Sequence, residues 1–166
     1  MTTKHNKTFI ALVGSVCATV SLGLVTHFEG LSYFGYRDPV GIPTKCYGDT
    51  KGVTVGKRYT EAECKASLET QMADKAEGVL RCVPTIKDKP YVLAASISFA
   101  YNIGVSAFCR STTAKRFNAG DYAGGCRAIQ QADNGKLQWI TAQGKVLPGL
   151  IRRREAERKV CEEGLK

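Results

Sequence analysis

The stretch FEGLSYFGYRDPVGIPTKCYG, residues 28–48, holds few charges and many turn formers. It nevertheless carries two carboxyls, Glu29 and Asp38, and a hydroxyl, Thr44. Eight residues separate the two acids, and five more separate Asp38 from Thr44. Two carboxyls in unlike surroundings can divide acid–base work. One keeps its proton and donates it; the other stays ionised and meets developing positive charge or an attacking water. Scission of a glycosidic bond needs that division, because the leaving oxygen must be protonated while the sugar carbon gains oxocarbenium character. Glu29 follows the apolar segment LVTHF, whose side chains are expected to desolvate it and favour its protonated form. Asp38 follows Tyr-Arg and precedes a Pro-Gly turn, a wetter setting that favours the carboxylate. The simpler roles are a turn cap for Asp38, since Asp-Pro readily starts turns, and an ordinary strand position for Thr44.

The elements that must position these residues can be read from periodicity and turn signals. After Asp38, DPVGIPTKCYGDTKGVTVGKRYT alternates short β-prone pieces with Gly and Pro, which predicts a small sheet lobe. The period then changes to that of helices. Thr60 with Glu63 forms a capping box opening TEAECKASLETQMADKAEGVLRCV. Asp88 and Pro90 open KDKPYVLAASISFAYNIG, which Gly104 can close. Ser111 can cap TTAKRFNAG, and Asp121 can cap YAGGCRAIQQA. NGKLQWITAQGK reads as a loop with a short helical turn, and Pro148 opens a last helix, PGLIRRREAERKVCEEG. The expected architecture is α+β, a small β lobe inserted near the start of a mostly helical chain.

Upstream of Glu29 lies FIALVGSVCATVSLGLV, Phe9 to Val25, without a charge and preceded by Lys4, His5 and Lys7. This run is at the short limit for a membrane helix, and the basic residues before it would stay cytoplasmic. A good small-residue cleavage site is missing, and Val16 before Cys17 argues against lipidation. The alternatives are a cleaved signal peptide and a buried helix of a soluble protein. The expectation is an uncleaved anchor that is only weakly hydrophobic, holding Gly14, Ser15, Thr19, Ser21 and Gly23. The chain therefore divides into a signal-anchor segment, 1–25, and a catalytic domain, 26–166.

The chain has 166 residues, enough for one domain with a real core. Its net charge of +9, from 24 basic and 15 acidic residues, favours anionic partners. No basic run is interleaved with aromatics as a nucleic-acid groove requires, so nucleic acid is not an expected partner. The seven cysteines include no Cys-x-x-Cys pair, and His5 and His27 do not complete a metal set. Disulfides and an oxidising compartment are the expectation.

Glu29, Asp38 and Thr44 match, without a gap, the signature of the phage lysozymes of glycoside hydrolase family 24: a Glu, eight residues, an Asp or Cys, five residues, a Thr. The chain resembles that family further at SFAYNIG with AFCRSTT behind it, at NAGD (118–121) and at LPGLIRRREAE (147–157). The resemblance runs from about Thr26 to the C-terminus. It implies a lysozyme-like fold with a cleft between a small sheet lobe and a larger helical lobe. Glu29 would be the general acid, Asp38 would orient water or steady developing charge, and Thr44 would help hold that water. The implied substrate is the glycan strand of peptidoglycan, cut between N-acetylmuramic acid and N-acetylglucosamine, by a monomer without metal or organic cofactor. The rival readings are a lytic transglycosylase acting on the same bond, a membrane-permeabilising pore former and an inactive glycan-binding module.

Substrate-contacting residues stay open. Tyr101, Asn102, Phe108 and Trp139 are candidates for cleft or core. IRRREAERK offers a basic surface or a solvated helix face on which Glu155 and Glu157 pair internally. The cysteines are expected to pair in sequence order, Cys46–Cys64, Cys82–Cys109 and Cys126–Cys161, leaving Cys17 free. Some relatives carry Cys in place of Asp38 and are caged through it; Asp38 excludes that device here. Only Thr26, His27 and Phe28 lie between the apolar run and Glu29, too short a tether for a cleft to close while Val25 sits at the membrane surface. The expectation resembles the signal-anchor-release endolysins. In these the chain is held in the host inner membrane on its periplasmic side, is inactive there, and is then freed into the periplasm.

Overall fold

A computed structural model describes residues 8–166; Lys4, His5 and Lys7 lie outside the described residues. The order is α1 (Thr8–Val13), α2 (Ser15–Phe28), β1 (Ser32–Arg37), β2 (Pro43–Cys46) and α3 (Glu61–Cys82). After a 3-10 turn at Pro84–Ile86 come α4 (Pro90–Ile103), α5 (Val105–Arg110), α6 (Thr112–Asn118) and α7 (Tyr122–Ala128). A small hairpin, β3 (Thr141–Ala142) and β4 (Lys145–Val146), precedes α8 (Pro148–Glu163).

The helical lobe is built around α4. Every residue from Val92 to Ala100 is buried, so α4 has no solvated face in that span and must be enclosed by other helices. It packs against α2, α3 and α8. Two small hydroxyls, Ser96 and Ser98, are tolerated inside because each finds an acceptor: the Val92 carbonyl at 2.8 Å and the Glu157 carboxylate at 2.7 Å. Pro90 occupies the first turn of α4, where its missing N–H costs nothing. Asp88, the expected cap, does not serve: Lys89 is the capping position and makes no side-chain bond.

The apolar run is not one straight helix. Gly14 adopts φ +79°, a left-handed backbone that ends α1 and starts α2 at a new angle. Phe9, Val13, Cys17, Ala18, Ser21 and Val25 are buried on the inner side of this broken helix, in the main core. No helix among the described residues is long and apolar enough to cross a membrane. Cys17 is the one free cysteine, fully enclosed, and burial pushes its thiol up to about 12. In this form it is protonated and a poor nucleophile.

The β lobe is slight. β1 and β2 pair antiparallel, with Tyr36 opposite Thr44 and Arg37 opposite Pro43. The lobe is held to α3 by the Cys46–Cys64 disulfide and by Ser67, whose hydroxyl donates to Asp49 at 2.6 Å. α3 itself opens on the full capping box: the Glu63 N–H donates to Thr60 Oγ1 and the Thr60 N–H to Glu63 Oε2. The other two disulfides, Cys82–Cys109 and Cys126–Cys161, tie α3 to α5 and α7 to α8. Ser111 and Asp121 cap α6 and α7, although α7 stops at Ala128, short of the expected end. The segment read as a loop with a helical turn is instead the β3–β4 hairpin. Gln143 and Gly144 both take positive φ, the backbone a tight hairpin turn requires.

Gly35 shows how tightly the lobe is drawn together. A Cβ there would stand 2.2 Å from the Thr54 carbonyl oxygen, a backbone atom with nowhere to go. Gly35→Ala is therefore expected to lower unfolding free energy by about 1–3 kcal/mol. Amide exchange should quicken at Tyr59 and Lys45, which bond to the Tyr33 and Asp49 carbonyls. Thermal melting with hydrogen exchange checks both outcomes.

Candidate active site

Glu29 is the residue that ends α2. Its N–H donates to the Val25 carbonyl at 2.8 Å, and its backbone is already extended, so the chain leaves the helix at this residue toward β1. A cavity of about 580 Å³ opens beside it, walled by His27, Phe28, Asn102, the Leu147–Leu150 segment, Arg152 and Arg153.

The carboxyl does not sit in the apolar setting expected from LVTHF. Its partner is a cation: Arg153 Nη1 donates to Glu29 Oε1 at 2.6 Å. The difference arises because Val25 faces the core while His27 is exposed and Phe28 lies under the guanidinium of Arg153, 5.7 Å from it. The second oxygen, Oε2, faces the sheet lobe, 3.5 Å from where a Cβ on Gly48 would be.

Arg153 is 3% exposed and belongs to a buried ionic cluster. Its Nε donates to Glu157 Oε1 at 3.1 Å and its Nη2 to the Ser98 carbonyl at 3.2 Å. Arg154, fully buried, lies 3.1 Å from Glu157 Oε2 and donates to Asn102 Oδ1 at 2.9 Å. Burial pushes the Arg154 guanidinium down to about 10, still charged at neutral pH. Burial also pushes Glu157 upward, against the pull of Arg154, Arg153 and the Ser98 hydroxyl. Every partner of Glu157 is a donor, which suits an acceptor-only carboxylate.

Glu155 and Glu157 do pair within the helix, as expected for IRRREAERK, but the setting of Glu157 is buried and not solvated. Arg153, Arg154 and Glu157 are neither a basic surface nor a solvated face, whereas Glu155, paired with Lys159 at 2.7 Å, and Arg158, paired with Glu162 at 3.6 Å, lie on the solvent side. The signal was present in the spacing. Leu150, Arg153, Arg154, Glu157 and Cys161 recur at one helical period, so the charges fall on the inward stripe.

Asp38 closes the turn between β1 and β2. Its Oδ1 accepts from the Val40 and Ile42 N–H groups at 3.0 and 2.8 Å, the turn-cap geometry. Its Oδ2 takes no protein hydrogen bond among the described residues. Thr44 is buried in β2 and its hydroxyl donates to the Ile42 carbonyl at 2.9 Å. The same residue, Ile42, thus anchors both side chains. Tyr101 links the lobes: its hydroxyl donates to the Tyr47 carbonyl at 2.7 Å, next to Gly48. Burial, with Glu29 and Asp49 nearby, pushes that phenol well above its ordinary range. Asn102 lines the cavity, Phe108 is core, and Trp139 is half-buried with its ring edge-on to Phe99.

A carboxyl at a helix end, facing a two-stranded lobe with a second carboxyl in its turn, defines a two-lobed glycoside hydrolase of the lysozyme kind. Residues 26–157 match the phage lysozyme family, and the chain belongs to it. It is 39% identical to the SAR-endolysin of Bacteriophage PS34 over 95% of this chain and 93% of that one. Its fold is similar to the active form of P1 phage endolysin Lyz, with a TM-score of 0.80 at 24% identity, covering 96% and 92% of the two chains. It is also similar to the muramidase domain of SpmX from Asticaccaulis excentricus, with a TM-score of 0.71 at 30% identity over 85% of this chain and 93% of that one.

The buried cluster makes a stability prediction. Arg154→Met leaves Glu157 enclosed with one fewer cation and is expected to cost about 3–5 kcal/mol. Adding Glu157→Gln should recover part of that loss, because both buried charges are then removed together. Urea unfolding of the single and double variants measures the difference.

Proposed function

We propose that this chain is a muramidase that hydrolyses the β-1,4 bond between N-acetylmuramic acid and N-acetylglucosamine in peptidoglycan, and that it acts as a phage endolysin. Glu29 protonates the leaving oxygen, Asp38 steadies developing charge or orients the water, and Thr44 helps hold that water. The observation that carries this reading is the placing of Glu29. One oxygen is fixed by Arg153, the other faces the sheet lobe, and a cavity large enough for a sugar ring opens alongside. Asp38 supports the reading by using one oxygen for the turn and keeping the other without a hydrogen-bond partner among the described residues.

The N-terminal segment supports a life in two solvents. Its outer face exposes Ile10, Ala11, Val16 and Thr19 and carries no charge. Its inner hydroxyl, Ser21, donates to the Cys17 carbonyl at 2.7 Å, and Thr26 donates to the Leu22 carbonyl at 2.7 Å. Hydroxyls satisfied by their own helix need no outside partner, in lipid or in a protein core. On this reading residues 1–25 first anchor the chain in the host inner membrane. The segment then leaves the membrane uncleaved, and its described part, from residue 8 onward, breaks at Gly14 and packs as α1 and α2 into the core of the periplasmic enzyme.

Three outcomes are expected. Glu29→Gln keeps the shape but loses the proton donor, so clearing of purified cell walls should fall by about 10²–10⁴-fold. The sugars released by the unaltered protein should carry one added water by mass; undiminished clearing by the variant would point to a pore former instead. Ser15→Leu, at a position exposed in the folded protein, should hold the chain in the membrane fraction and delay lysis without lowering the activity of the released enzyme. Mature protein that lacks its first 25 residues would overturn the release reading.

A further inference from the structure

We propose that Glu157 is a positioning residue for Glu29, acting through Arg153: it is the buried counter-charge that aims one guanidinium at one oxygen of the catalytic carboxyl and offsets the charge of that guanidinium. This rests on the reading of Glu29 as the general acid.

The geometry is a relay of fixed contacts. Arg153 presents Nε to Glu157 Oε1, Nη2 to the Ser98 carbonyl and Nη1 to Glu29 Oε1. All three nitrogens are therefore committed, and the plane of the guanidinium cannot turn. Glu157 is itself held by the Ser98 hydroxyl on Oε1 and by Arg154 on Oε2. The consequence at the far end is an asymmetric Glu29. Oε1 is taken, and Oε2 alone is left to carry the proton toward the sheet lobe.

Charge balance gives Glu157 a second task. Two guanidiniums and two carboxylates make a neutral cluster when all are ionised. A general acid must be protonated before it acts, and the cluster then carries one net positive charge. Without the Glu157 carboxylate it would carry two, and the proton on Glu29 would be lost more easily. The groups around Glu29 are Arg153, Arg154 and Arg152 from α8, Tyr101 from α4, Asp49 from the lobe and His27 on its own helix. Those around Glu157 are Arg153 and Arg154 from α8 and Ser98 from α4, while Arg158, the next residue, pairs with Glu162. Among these, Glu157 is the buried anion in direct contact with both inner guanidiniums.

The experiment is a pH–rate profile on solubilised peptidoglycan glycan strands, comparing Glu157→Gln, Glu157→Asp and Glu29→Gln in the full chain. For Glu157→Gln the alkaline limb should move down by about one pH unit, with kcat lower by on the order of tenfold to a hundredfold and KM little changed. Glu157→Asp keeps the charge but withdraws it from Arg153, so its limb should hold while kcat falls. An alkaline limb unmoved in Glu157→Gln, with activity tracking only the folded fraction, overturns the proposal. Should Glu157→Gln fail to fold, Glu157→Asp decides alone: a wild-type kcat in that variant also overturns it. Loss of activity in Glu29→Gln with an unmoved limb in Glu157→Gln rejects only this relay. Full activity in Glu29→Gln rejects the assignment of the general acid itself.

Discussion

The commitment of one buried guanidinium to three acceptors on three elements, α8, α4 and the end of α2, organises this molecule. Arg153 can be dehydrated only because Glu157, Glu29 and the Ser98 carbonyl replace its water. That requirement draws α8 against α4 and brings both against the end of α2, the three elements that meet behind the cavity. An ion cluster of this kind adds little net stability compared with apolar packing. It does impose one arrangement, because any shift of α8 along α4 strands a charge.

The β lobe depends on different forces. It has little apolar core of its own: Cys46, Tyr59 and Cys64, with Tyr33 and Tyr47 packed alongside. It is secured by a disulfide to α3, by Asp49 to Ser67, and by the Tyr101 hydroxyl on Tyr47. The last contact matters most for chemistry. It crosses the cleft from α4, which also carries Ser98, to the residue beside Gly48, where Glu29 Oε2 points. One helix therefore sets the distance between the acid and the lobe that holds Asp38 and Thr44.

Local signals were legible where a short segment decides its own structure. The Thr60–Glu63 box, the Ser111 and Asp121 caps, Pro90 and the Gly-rich strand lobe are all contests among near neighbours. The spacing of the proposed acids has a related local basis, since a helix end holds Glu29 and one hairpin turn holds Asp38. The environment of Glu29 was not, because its partner lies 124 residues away and apolar neighbours in sequence need not be neighbours in space. Arg153 and Glu157 were read as surface because isolated charges avoid the interior. Their inward register outweighs that tendency only when four charged groups cancel together. The β3–β4 hairpin was missed for want of length, two residues a strand being below any periodic signal.

The closeness of the apolar run to the acid follows from helix geometry. Phe9, Val13, Cys17, Ser21 and Val25 are spaced by four and all buried, and Glu29 is the next step of the same stripe. Packing that stripe against the core is thus the same event as carrying Glu29 to Arg153. A stripe left in lipid would keep Glu29 from its partner, and three residues of chain could not make up the distance. The break at Gly14 fits the same logic. A continuous helix spans a bilayer better, whereas a broken one lets α1 turn onto α3 while α2 lies along α4. Glycine permits both, since a helix interior tolerates it at a cost of about 1 kcal/mol and a left-handed break requires it. On the release reading, the catalytic carboxyl and the device that withholds it are consecutive turns of one helix, so no separate inhibitor is needed to keep the enzyme silent.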